Sequence, residues 1–171
     1  MSSDVEHMDE ILGVSFGDTI PEQDCVLADI HIRTHATSGG QEGTRGHLLI
    51  QTDVLRGLIA GLPGVMEAMR DDGADRDRLP PPARPVPAWN DGPRWNPAGA
   101  TMYLCTGFGV RDIAPELGAA VMVIQTVGPE VPPGARDSQG QDYLMGWQAL
   151  TAFQAALPKV LRKLERVRRR R

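Results

Sequence analysis

Two cysteines, Cys25 and Cys105, are all that the 171 residues contain. A multi-bridge disulfide scaffold is therefore excluded, and no Cys or His pairs stand at the spacing of a structural zinc site. Uninterrupted apolar runs fall short of the roughly 20 residues that a membrane helix needs, so no membrane span is expected. The first 30 residues hold eight acids and no Lys or Arg. An acidic start with no apolar segment behind it lacks both regions of a secretory signal, and a cytoplasmic protein is expected. Lysine is nearly absent, occurring at positions 159 and 163 alone. The glycine-rich run 38–46 therefore fails as a phosphate loop, which needs a Gly-Lys-Ser/Thr step at a helix start; Glu42 would also repel the anion. It reads instead as a flexible connection. Gly107-Phe108-Gly109 lacks the third glycine and the following helix of a dinucleotide loop.

What is present is an uneven charge distribution. Residues 159–171 hold eight basic side chains and one acid, while the other 158 residues hold 10 basic and 21 acidic ones. A body of −11 thus carries a tail of +7. Such polarity suits a tail that meets phosphate or an acidic protein surface, or one that folds back on its own body or is solvated.

Residues 1–23 space Val5, Met8, Ile11 and Leu12 as on a helix and then turn Gly/Pro-rich, which predicts a short helix or a loose acidic arm. From 24 to 37 apolar and polar residues alternate, the mark of a strand. One face holds Val26, Ala28, Ile30, Ile32 and Thr34; the other holds Leu27, Asp29, His31, Arg33 and His35. Residues 47–51 read as the returning strand. Thr52 or Asp53 can cap a helix through Val54, Leu55, Leu58, Ile59 and Leu62, with a kink or restart expected at Pro63 and an end near Gly73.

Seven of the 14 prolines fall within 80–97, together with Trp89 and Trp95. An extended crossover pinned by two aromatic anchors is expected there. Residues 101–110 and 119–127 read as strands, and a loop over 128–140 leads to a last helix begun by Tyr143 and Trp147. Along it Leu150, Phe153, Leu157, Val160, Leu164 and Val167 keep the three-four spacing of a helix that packs along a partner, with a bend expected at Pro158. The fold expected is α+β, with antiparallel strands in a ββα-loop-ββα order and a long C-terminal helix. It divides into an arm 1–23, a body 24–158 and a basic helix end and tail 159–171. The order hints at a repeated ββα unit, although the two halves share no residue motif that aligns.

Asp29, His31, Arg33 and His35 form the polar strand face with the most chemistry. Alternate residues lie about 6.6 Å apart and the two histidines about 13 Å, at a rise of about 3.3 Å per residue. One zinc ion holds its nitrogens at about 2 Å, so a two-histidine metal site is rejected on a strand. An acid-base or anion site of His31 with Asp29 and Arg33 stays open, beside a solvated face with cross-strand charge pairs. The cysteines, in apolar strands without a Cys-His signature, read as core residues. No metal or other cofactor is implied.

Without a convincing catalytic set, the expected function leans away from an enzyme. A non-enzymatic assembly or adaptor module would pack Leu150, Phe153, Leu157, Val160 and Leu164 on a protein partner or a second copy. Its Arg162, Lys163, Arg166, Arg168, Arg169, Arg170 and Arg171 would touch nucleic acid without reading its sequence, or an acidic protein surface. The alternative is a small enzyme or ligand-binding domain using Asp29, His31, Arg33 and His35.

Overall fold

The structure is a computed structural model that describes residues 5, 7–89, 102–127 and 139–169. Strands β1 (Asp9–Ile20), β2 (Cys25–Arg33), β3 (Glu42–Gln51), β4 (Met102–Ala114), β5 (Ala119–Val127) and β6 (Gln139–Gly146) hydrogen-bond in that order and close into a barrel. Helix α1 (Thr52–Asp71) follows β3, and α2 (Trp147–Arg169) follows β6. No helix among the described residues is long and apolar enough to cross a membrane.

The closed barrel overturns the expected ββα-loop-ββα layout of antiparallel strands. Each half has three strands, and the halves meet through two parallel pairings, β3 with β4 and β6 with β1. Two strands escape the sequence pattern for physical reasons. β1 occupies most of the segment expected as a helix or arm, and Glu10 through Gly17 are all buried, so neither face alternates to water. A register shift between Ile11 and Gly13 further breaks its period of two. β6 opens on Gln139, Gly140, Gln141 and Asp142, a polar start that resembles a loop.

The halves also share a turn. Each first strand runs into a short 3-10 turn begun by Pro21 or Pro115, which ends on a left-handed residue, Asp24 at φ 53° or Gly118 at φ 62°. The carbonyls of Asp24 and Gly118 then accept the N–H of the first residue of the helix in the same half, Thr52 at 3.0 Å and Trp147 at 3.1 Å. Pro63 and Pro158 stand at the same position in α1 and α2, and both helices run through their prolines. At the start of α1 the Thr52 hydroxyl donates to Asp24 Oδ1 at 2.9 Å, and no side chain caps the helix.

The main core joins both helices to one face of the barrel strands. Val26, Ala28 and Ile30 of β2 and Ala120, Met122 and Ile124 of β5 meet Leu55, Leu58 and Leu62 of α1 and Leu150, Phe153, Leu157, Val160 and Leu164 of α2. Each Val, Ile, Leu, Met or Phe among them removed from water contributes about 1.5 to 3 kcal/mol. The Phe153 ring lies parallel to Phe16 at 6.2 Å and tilts against Phe108 at 5.3 Å.

Candidate functional site: a cavity under a proline strap

After α1 the chain returns across the barrel as a strap, residues 74–89. Prolines cannot donate backbone hydrogen bonds but their carbonyls accept, and the polar face of β2 with its neighbours supplies the donors. Arg33 Nη1 donates to the Pro80 carbonyl at 2.8 Å and Nη2 to that of Pro81 at 3.0 Å. Ser15 Oγ donates to Pro87 at 2.6 Å, and the Phe16 N–H donates to Ala88 at 2.8 Å. Trp89 then packs its ring 6.3 Å from Phe16. Trp95, the other expected anchor, lies outside the described residues.

Arg33 is the centre of this attachment. Besides the two carbonyls it donates to Glu10 Oε1 at 2.9 Å and to Glu42 Oε1 at 3.0 Å. Glu42 in turn accepts the Ala83 N–H at 3.0 Å. That backbone N–H, followed by Arg33, holds the Glu42 carboxyl below the usual range. Glu10 behaves oppositely. Burial pushes its pKa up to about 7, against the pull of Arg33 and with Asp77 and Glu42 adding to the rise.

The strap, β1 and the first turns of α2 line a partly open cavity of about 350 Å³. Leu12, Val14, Val86, Ala149, Ala152 and Phe153 give it apolar walls, and Glu10 and Asp77 line it as acids. Asp77 Oδ2 accepts the Gln148 N–H at 3.1 Å, placing negative charge at the positive start of α2. Gly146 allows this approach, because a Cβ there would collide with the Asp77 carboxylate and lie 3.8 Å from Glu10 Oε2. Both carboxylates therefore converge beside Gly146, in a cavity whose lining combines these apolar side chains with polar groups that include Gln148. Such a site suits a ligand with an apolar body and a cationic or hydrogen-bond-donating head.

The expected strand-face residues are only partly brought together. Asp29 is buried, and its backbone is paired with that of Ser15. His31 Nε2 lies 3.0 Å from Ser15 Oγ. A serine hydroxyl has one proton, and Ser15 gives it to Pro87, so His31 is the donor in this contact and cannot act as a base on Ser15. Arg33 holds the strap. His35 sits past the end of β2, exposed, at φ 46°, with His7 edge-on at 6.3 Å. Among the described residues no three His, Cys, Asp or Glu side chains are placed to hold a metal ion. Burial raises the Cys25 thiol to about 11, with Asp24 adding to it, and Cys105 to about 12, so both stay protonated at neutral pH.

Sequence reasoning missed Glu10 and Asp77. Glu10 looks like one more acid in an acidic arm until β1 is a strand, and only the return of the strap brings Asp77 beside it.

The helical stripe Leu150, Phe153, Leu157, Val160 and Leu164 is buried against its own chain. Arg162, Lys163, Arg166 and Arg169 are exposed on α2, Arg168 belongs to the helix, and Arg170 and Arg171 lie outside the described residues. No protein-family model, curated protein or solved structure matches the chain.

Proposed function

We propose that the protein is a small-ligand-binding barrel. The ligand's apolar body rests on Leu12, Val14 and Phe153, and its cationic or donor head points to Glu10 and Asp77. One observation carries this reading: a cavity of about 350 Å³, within the size range of small-molecule sites, with a buried carboxyl of pKa about 7 at its polar end. At neutral pH Glu10 is divided between its acid and carboxylate forms, so it can donate to a neutral acceptor or receive a cation.

Ligand-observed NMR with a fragment set that includes aryl-alkyl amines tests the proposal. Binders should lose their signal changes in an Ala152→Trp variant, whose indole fills the cavity from the exposed side of α2. Amine binders should weaken in Glu10→Gln as well. No binder in the whole set, or binders that ignore Ala152→Trp, would overturn it.

A further inference from the structure

The body of the molecule is acidic, yet the end of α2 carries the opposite charge with little to neutralise it. Arg162, Arg166 and Arg169 are spaced by four and three residues, which puts them on one side of the helix over about 10 Å of its length. With Glu165 they line a shallow depression of about 390 Å³. Glu165 is the sole acid of residues 159–171, and Arg56 of α1 draws it away, with Nη2 at 3.4 Å from Oε1. Arg56 also approaches Asp53 at 3.6 Å. Among the described residues Arg162, Arg166 and Arg169 have no acidic partner within ion-pair distance. Among the described residues, then, these arginines form no ion pair with the acidic body.

We infer that this side of α2 is a contact surface for the phosphate backbone of nucleic acid, independent of base sequence. The guanidinium fork pairs with phosphate oxygens two at a time, and backbone contacts of this kind position a protein without reading bases. An acidic protein partner fits less well. A protein interface needs a desolvated apolar centre inside its polar rim. Here Leu157, Val160 and Leu164 face inward. Trp89 and Val127 are the exposed large apolar side chains among the described residues, and the Trp89 ring already has Lys163 Nζ over it at 5.1 Å. The rest of the chain, at −11, repels a polyanion and so turns this end toward it. The surface is separate from the cavity and does not depend on the ligand-binding reading.

The experiment compares the full chain with an Arg162→Gln, Arg166→Gln, Arg169→Gln variant, whose exposed substitutions should leave the melting transition in place. Fluorescence anisotropy follows binding to mixed-sequence duplex and single-stranded oligonucleotides from 50 to 200 mM salt, with poly-glutamate as an acidic polypeptide control. The full chain should bind with affinity that falls steeply with salt and does not depend on sequence. In the variant the logarithmic salt slope for duplex should flatten by about 2 to 3, at about 0.9 for each phosphate no longer neutralised. An unchanged slope, or no binding by the full chain, would overturn the inference. Binding to poly-glutamate as tight as to nucleic acid would also overturn it, in favour of an acidic protein surface.

Discussion

Arg33 donates to Glu10 across 2.9 Å with 5% and 7% of the two side chains exposed, and the same guanidinium holds two carbonyls of the strap. Replacing Arg33 with Met leaves the Glu10 and Glu42 carboxyls and two strap carbonyls without this donor, and Glu10, no longer pulled down by the guanidinium, is protonated at pH 7. Buried acceptors left unsatisfied cost about 1 to 3 kcal/mol each, so the loss should exceed about 2 kcal/mol. Urea denaturation at pH 7 should register that loss, and limited proteolysis should cut first within 80–89. A variant within about 1 kcal/mol of the parent would show that the strap is held by other contacts.

Glu10 also sets a pH dependence. Its pKa is about 7 in the fold against an ordinary value of 4.5, so between these limits the folded chain binds the extra proton. Stability is therefore fully present below the lower value and falls as pH rises through the upper one, by about 3 kcal/mol in all. Glu42, whose carboxyl is lowered, loses its contribution only as pH falls below the ordinary carboxyl range. Urea midpoints at pH 5 and pH 8 isolate Glu10: the parent should lose stability over this interval and Glu10→Gln should lose clearly less.

Phe153 belongs both to the core, between Phe16 and Phe108, and to the cavity floor. Phe153→Ala should cost about 3 to 5 kcal/mol, and Phe153→Leu considerably less, since leucine refills much of the volume. Thermal melts of the two variants check the order. Equal melts would mean that the site collapses freely.

Two glycine substitutions should have opposite signs. Gly118 combines φ 62° with a Cβ position that would collide with the Arg76 carbonyl of the strap. Gly118→Ala should therefore destabilise strongly. Gly57 lies on the exposed side of α1, where a Cβ meets nothing within 4 Å. Gly57→Ala should stabilise by about 0.8 to 1 kcal/mol, the helix-propensity difference. Paired melting curves decide both.

The legible parts of the sequence are those whose residues repeat with a clear period or composition. The strand face Val26, Ala28, Ile30 follows from apolar-polar alternation even though both sides of β2 are largely buried, the strand over 119–127 from its apolar composition, and the α2 stripe from its three-four spacing. β3 starts at Glu42, inside the run expected as a flexible connection, because its glycines conceal the pairing with β2. The repeat is hard to see because its shared residues are few and far apart: Pro-Glu turns at 21 and 115 and one proline at a matching position in each helix, joined by a left-handed residue that only the backbone reveals. The polar face of β2 is visible in the sequence, but its purpose is not. A roof of prolines needs side-chain donors beneath it, and that need arises only when residues 80–88 cross a strand distant in sequence. For the same reason the acid pair of the cavity has no signal in either local segment.

The two parallel seams have a consequence for assembly of the chain. β1 meets β6 from Asp9↔Tyr143 to Ile11↔Met145, and β3 meets β4 from His47↔Met102 to Ile50↔Cys105. Within each half the strands form a meander of neighbours, which can pair early because little chain entropy is lost in bringing them together. The seams span more chain than the pairings within each half, 55 residues at His47↔Met102 and 134 at Asp9↔Tyr143, and so close late. Until they do, each half exposes two unpaired strand edges that invite pairing with another chain. A protein cut between α1 and β4 should then recover its barrel only when both fragments are mixed, at a rate that rises with the concentration of each. The edges that make this rescue feasible are also where two copies would exchange halves.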